Sequence, residues 1–272
     1  MSGKLLGYHI EAALATDVGN HRDTNQDHGR CVRPHDPRVL AEKGVLVVVA
    51  DGLGGHAAGE VASRLAVETV HHAYYDHTGH AAQALTDAVA SANREIYEVS
   101  QRDGQLLGMG TTCAALALCG DTAVCAHVGD TRVYLVRGDG IYAMTEDHSS
   151  VQELVTRGLL SAENARHHAD QNVLLRAVGT HPSVDVTTWQ KPFPLQAGDR
   201  FLVCSDGLHT LVEDEEMKRI AVDAAPDAAC EQLIALAKQR GGYDNITVAV
   251  VVVSTMSEPK QVRDTRESGV PS

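Results

Sequence analysis

Aspartate recurs in this sequence where apolar runs begin or end, each time beside glycine or asparagine. VLVVVA (residues 45–50) runs into Asp51-Gly52, FLVCS (201–205) into Asp206-Gly207 and TAVCAHV (122–128) into Gly129-Asp130, while Asp244-Asn245 precedes ITVAVVVV (246–253). A carboxylate at a strand end is held rigidly at the rim of a core and is partly desolvated. Several such ends converging give an oxygen-rich, negatively charged pocket, which suits a hard divalent cation such as Mg²⁺ or Mn²⁺. The adjoining glycine lets the backbone turn sharply and can leave its carbonyl free as a further ligand. Asp-Gly is also a common turn dipeptide. Asp103-Gly104 and Asp139-Gly140 lie in polar surroundings and read as plain turns. Asp51 and Asp206 end strongly apolar strands, where an unpaired carboxylate is costly, and read as metal ligands.

Other chemistries fare less well. The segment VLVVVADGLGGHAAGE is a strand, a glycine-rich turn and a helix, and Gly52-x-Gly54-x-x-Ala57 fits a loose dinucleotide-binding fingerprint. That fingerprint also asks for a second strand and an acidic residue about 20 positions on, whereas a long His-rich helix follows here. A dinucleotide-binding oxidoreductase is the alternative it leaves. Six cysteines stand at 31, 113, 119, 125, 204 and 230, none in a C-x-x-C pair and most in apolar runs. They read as buried, reduced thiols of a cytoplasmic protein. A nucleophilic phosphatase cysteine needs Arg six positions later. Those positions hold Pro37, Cys119, Cys125, Thr131, Thr210 and Leu236. Paired histidines (His71, His72, His77, His80, His167, His168) lack metal-site spacing and read as a solvated face.

The elements that must position the aspartates follow from periodicity. Strands are expected at 45–50, 112–119, 122–128, 132–137, 200–204 and 247–253. The turns Gly120-Asp121 and Gly129-Asp130 predict an antiparallel meander through the second, third and fourth of these. Helices are expected at 56–77, 81–101, 149–158, 213–222 and 226–240, the last with Pro226 in its first turn. Helical hairpins alternating with blocks of strands predict an α+β domain, sheet on sheet with helices outside. Hydrophobic residues are 43% of the 272 and charged residues 22%, ordinary for a globular chain. The formal net charge of −13 would repel nucleic acid. No apolar stretch is long enough to span a bilayer, and the N-terminus does not read as a signal peptide. Residues 1–253 are expected to form one domain, and the polar segment 254–272 a disordered tail.

Eight motifs in order resemble the metal-dependent serine/threonine protein phosphatases of the PPM, or type 2C, class in their compact bacterial form. They are T-D-V-G-N-H-R-D-T-N-Q-D (16–27), V-A-D-G-L-G-G-H (49–56), G-M-G-T-T (108–112), H-V-G-D-T-R (127–132), D-H-S (147–149), L-R-A-V-G (175–179), C-S-D-G-L (204–208) and G-Y-D-N-I-T (242–247). The resemblance implies a four-layer α-β-β-α sandwich, two antiparallel sheets flanked by helices. It implies hydrolysis of phosphoserine and phosphothreonine on proteins by a metal-activated water, reversing a partner bacterial Ser/Thr kinase. Two Mn²⁺ or Mg²⁺ ions are implied, with a third, weaker one. Asp51 then bridges the two ions with the Gly52 carbonyl on one of them, Asp206 and Asp244 hold the other, and Asp130 with Asp206 holds the third. Arg22 binds the substrate phosphate, Asn25 braces its loop, and Asp27 holds metal-bound waters from further out. Residues 159–172 fall where the family has a variable flap. Gln26 stands where many members have Glu. Leu53 stands where animal members carry a histidine thought to be the general acid, and His56 is the nearest substitute. The expected partners are phosphoproteins, with no nucleic acid and no membrane insertion, and the expected state is a cytoplasmic monomer. A catalytically silent pseudo-phosphatase is the remaining alternative, against which the intact Asp51, Asp206, Asp244 and Arg22 count.

Overall fold

The β-branched runs form strands buried on both faces. The computed structural model describes residues 7–54, 57–165, 168–189 and 191–255. The chain runs β1 (Tyr8–Asp17), β2 (Asp27–Val32), α1 (Pro37–Lys43), β3 (Val45–Leu53), α2 (Ala57–Asp76), α3 (Ala81–Arg102), β4 (Gly110–Thr111), β5 (Cys113–Cys119), β6 (Thr122–Val128), β7 (Arg132–Arg137) and β8 (Gly140–Ala143). It continues through α4 (Ser150–Thr156), α5 (Ala162–Ala165), β9 (Thr187–Thr188), β10 (Phe193–Pro194), β11 (Arg200–Cys204), α6 (Asp206–His209), α7 (Asp214–Asp223), α8 (Pro226–Gln239) and β12 (Ile246–Thr255). One sheet has the order β1-β12-β11-β7-β8 and the other β10-β6-β5-β3-β2, with β4 against β3 and β9 against β6. Neighbouring strands in both sheets pair antiparallel.

Side chains alternate across a strand with period two, and that alternation builds the layers. In β3, Val45, Val47 and Val49 enter the core between the sheets, while Leu46, Val48 and Ala50 pack under α2 and α3. In β12, Ala249, Val251 and Val253 take the inter-sheet face, while Ile246, Val248 and Val250 pack under α7 and α8. Each flanking helix offers one apolar stripe: Leu85, Val89, Ala92 and Ile96 of α3, and Leu233, Ile234 and Ala237 of α8. Burying a Val or Leu side chain fully stabilises by roughly 1.5–3 kcal/mol, so this repeated valine alternation specifies the α-β-β-α sandwich. No helix among the described residues is long and apolar enough to cross a membrane.

The expected meander is corrected at one turn. β5 and β6 form a hairpin, but β7 belongs to the opposite sheet, where it pairs with β11. Gly129 adopts φ +99°, and a Cβ there would come within 2.6 Å of Thr112 Cγ2. The chain therefore crosses from one sheet to the other at Gly129-Asp130 instead of folding back. Asp130 stands at that crossing, between the two sheets.

Candidate active site

The inter-sheet core turns polar at one end, and the alternation dictates which residues arrive there. Continuing the inward positions of β3 past Val49 reaches Asp51. Continuing those of β11 past Val203 reaches Ser205, and those of β12, read back from Ala249, reach Thr247 and Asn245. Asp27 begins β2 opposite Asp51 in register. Ser205 Oγ donates to Asp27 Oδ2 at 2.7 Å and accepts from the Thr247 amide at 3.0 Å. The Asp51 backbone is pinned by Thr111 and Thr112. Its N–H donates to Thr112 Oγ1 at 2.9 Å, and its carbonyl accepts from Thr111 Oγ1 and the Thr112 amide at 2.8 Å. Asp206 opens α6. The Asp130 carbonyl takes a hydrogen bond from His209 Nε2 at 3.0 Å.

These side chains meet at a cavity of about 210 Å³ lined by Asp51, Asp130, Asp206, Asp244, Gly52 and Arg22, with Gln26, Asn172 and Asn245 on its walls. Arg22 is the one cationic side chain lining it among the described residues. Its Nη2 donates to Asp244 Oδ2 at 2.8 Å, which raises the Arg22 pKa further. Burial, reinforced by neighbouring carboxylates, pushes the Asp27 carboxyl up to about 7, Asp206 up to about 6 and Asp130 up to about 8. Burial and the charges of Asp27, Asp206, Asp130 and Asp244 hold Asp51 well above the usual carboxylate range. One guanidinium, already paired with Asp244, cannot offset this many acids, so Asp27, Asp51, Asp130 and Asp206 hold protons more tightly than free aspartates do unless cations arrive.

The residues present fit divalent ions. Oδ1 of Asp27 and Oδ1 of Asp206 are buried and accept no hydrogen bond, a state expensive for a carboxylate oxygen unless something else satisfies it. Among the described residues no three His, Cys, Asp or Glu side chains stand close enough together to hold an ion by themselves, so water would have to complete the coordination of any ion bound here. Close backbone approach explains two glycines. A Cβ on Gly52 would meet the Gly59 carbonyl oxygen at 2.2 Å, and one on Gly207 would meet that of Asn245 at 2.0 Å.

The loops around the cavity are cross-tied. Asn25 Nδ2 donates to Thr16 Oγ1 at 2.8 Å, and its Oδ1 accepts from the Asp27 amide at 3.1 Å. Buried Asn245 accepts from the Gln26 amide at 2.8 Å and donates to the Val18 and Thr24 carbonyls. Gln26 lines the cavity, its Nε2 3.4 Å from the Gly54 carbonyl, and its own carbonyl accepts from Ser63 and Gly52. Ser205, Thr247, Thr112 and Asn245 escaped the sequence reading. Their signal was the same strand alternation, followed one or two positions past the last valine. Of the expected flap, Asn172 reaches the cavity wall. His56 lies outside the described residues, as does His167. His71, expected on a solvated face, is half-buried, and its Nδ1 has no partner.

The dinucleotide-binding reading fails on topology. Its fold needs β3 to run parallel to the strand after the helix, but β3 pairs antiparallel with β2, β4 and β5, and a second helix follows the first. Comparison with known proteins agrees. Residues 23–241 match the family model for protein phosphatase 2C. The chain is 37% identical to a serine/threonine phosphatase of Listeria innocua over 255 residues, covering 92% of this chain and 98% of that one. It is similar to the crystal structure of the Mycobacterium tuberculosis serine/threonine phosphatase PstP/Ppp, with TM-score 0.80 and 34% identity over 90% of this chain and 99% of that one. A PstP catalytic domain solved with two manganese ions matches with TM-score 0.76 and 33% identity, over 90% of this chain and 98% of that one. Fold, motif order and these likenesses agree, and the chain belongs to the protein phosphatase 2C family of metal-dependent serine/threonine protein phosphatases.

Proposed function

We propose that the inter-sheet cavity is the catalytic centre, and that Asp51, the Gly52 carbonyl, Asp206 and Asp244 hold two divalent cations, Mn²⁺ or Mg²⁺. Asp130 with Asp206 holds a third, more weakly, and Asp27 orders water from behind. The observation that carries this reading is the buried, unpartnered Oδ1 of Asp206 in a pocket lined by four aspartates and a single cationic side chain, with the equally unpartnered Oδ1 of Asp27 buried outside its lining. When bound, such ions supply Lewis acidity toward water and toward the phosphoryl group.

The chain's own residues do the rest. Arg22 offers a planar, bidentate fork to the phosphate of the substrate, which a lysine could not match. In the free protein Asp244 holds that fork at the pocket rim, so it is positioned before substrate arrives. Asn245 and Asn25 hold the two loops that carry Arg22 and Asp244, and Thr111 and Thr112 fix the Asp51 backbone. His56 is proposed as donor of a proton to the departing seryl or threonyl oxygen. A bacterial Ser/Thr kinase and its substrates are the proposed partners of a cytoplasmic, monomeric enzyme; β12 carries the domain past the expected boundary at 253 to Thr255, which leaves residues 256–272 as the proposed tail.

The test is phosphopeptide hydrolysis after exhaustive chelation. Turnover should vanish in EDTA and return with Mn²⁺. Full turnover in EDTA would remove metal ions from the mechanism.

A further inference from the structure

The rim of this cavity carries a second pair of side chains that hydrolysis itself does not require. His21 and Tyr243 stand one residue from Arg22 and from Asp244, on the same two loops. Their rings meet at 5.2 Å between centroids with 34° between planes. Next to the Arg22–Asp244 ion pair in sequence there is thus a second, aromatic pair joining the same two loops.

Tyr243 is 63% exposed, yet its ring is held. A Cβ on Gly241, at φ +124°, would meet Tyr243 Cε2 and Cζ at 2.4 Å, so the ring lies against bare backbone. That backbone is fixed by Asn20, whose Nδ2 donates to the Gly241 and Lys238 carbonyls at 2.9 and 2.8 Å and whose amide donates to the Gly242 carbonyl at 2.8 Å. A solvent-facing ring already held in place offers contact area at little further cost in ordering.

Local charge decides what such a surface takes. The cations of these loops are paired: Arg22 with Asp244, Lys238 with Asp17, and Arg240 with Glu216. Asp23, exposed and next to Arg22, enters no ion pair among the described residues. An exposed tyrosine face with an uncompensated carboxylate nearby favours a cation, and a guanidinium can stack flat on the ring as an ammonium cannot. A leucine would gain area there but nothing from Asp23.

We propose that His21 and Tyr243 form a ledge that receives the guanidinium of an arginine flanking the phosphorylated residue of the substrate protein, with Asp23 supplying the complementary charge. The proposal rests on Arg22 as the phosphate-binding residue. A peptide advances by about 3.3–3.6 Å per residue, so a phosphate at Arg22 brings a residue one or two positions away over the ledge.

The test uses Mn²⁺-loaded enzyme and alanine-based phosphothreonine peptides with arginine, leucine or alanine at each position from −3 to +3. One flanking position should show kcat/KM about threefold to fivefold higher for arginine than for alanine, the scale of an exposed cation–π contact. Tyr243→Ala should bring that ratio to about 1, and Tyr243→Phe should keep it. Asp23→Asn should lower it and weaken its dependence on salt. Should Tyr243→Ala not fold, His21→Ala gives the same readout, with the ratio falling about twofold. No arginine preference at any position, a leucine preference instead, or a ratio unchanged in both Tyr243→Ala and His21→Ala overturns the ledge. Wild-type KM for every peptide in Arg22→Ala would instead overturn the phosphate site beneath it.

Discussion

Ser205 and Asp27 lie 178 residues apart, and their buried hydrogen bond of 2.7 Å joins the two sheets at the floor of the proposed active site. Ser205 follows β11 in one sheet, Asp27 begins β2 in the other, and the same hydroxyl accepts from the Thr247 amide. Removing the hydroxyl leaves two buried polar groups short of a partner. Ser205→Ala should therefore cost about 1–3 kcal/mol, the usual penalty for an orphaned buried group. Chemical denaturation in EDTA measures it, and an unchanged midpoint would show that the contact does not hold the sheets.

Asp206→Asn and Asp244→Asn should each lower kcat by about 10²-fold or more, the scale seen when one preorganised electrostatic group is lost. Their stabilities in chelator should differ. Asp206 is buried with Oδ1 unpartnered, so a neutral amide relieves repulsion and the Tm should rise. Asp244 is the partner of a half-exposed Arg22, and such pairs contribute about 0–1 kcal/mol, so its Tm should hold. Wild-type kcat in either variant would detach that residue from catalysis.

The strands that carry the proposed ligands were legible because their signal is local. Valines of β3 and β12 are buried on both faces, and the aspartates stand where those runs stop. β1 was not legible. Its sequence YHIEAALATD carries three alanines, a glutamate and an aspartate, which favour strands little, and pairing with β12 along ten residues imposes the conformation. β2, with DHGRCV, is likewise held by β3. The crossing at Gly129-Asp130 was misread because a Gly-Asp turn looks the same whether it joins neighbours in one sheet or passes between two. Only the pairing of β7 with β11, a strand more than 60 residues further on, distinguishes them. The polar floor of Ser205, Thr247 and Asn245 was hidden for a similar reason: a serine after a strand has no meaning until Asp27 is known to stand opposite it.

Arg22→Ala should raise KM for phosphopeptides more than it lowers kcat, because in the proposed role the guanidinium would meet the phosphate in ground and transition states alike. The Asp244 pairing adds a second consequence. Arg22 holds Asp244 Oδ2 at 2.8 Å in the free protein, so its removal frees a carboxylate for metal. The Mn²⁺ concentration for half-maximal activity should fall in the same variant whose KM rises. A rise in both would mean that Arg22 helps to assemble the metal site.

Stability in chelator should decline as pH rises, opposite to the usual acid denaturation. An aspartate in the unfolded chain titrates near 3.9. Burial raises Asp206 to about 6, Asp27 to about 7 and Asp130 to about 8 in the folded protein. Between these limits the native state binds more protons than the unfolded state, so unfolding free energy falls with increasing pH. The stabilising contribution of these protons is complete below about pH 4 and is lost stepwise as pH passes through 6, 7 and 8. Measured from pH 5.5 to 8.5 in EDTA, the Tm should fall. Mn²⁺ should flatten the slope, because a cation replaces the protons and binds the ionised pocket best at high pH. Asp27→Asn in EDTA should flatten it in part, near pH 7. A chelated protein whose Tm rises across this range would mean that these three carboxylates are already ionised in the fold, and that some cation besides Arg22 compensates them.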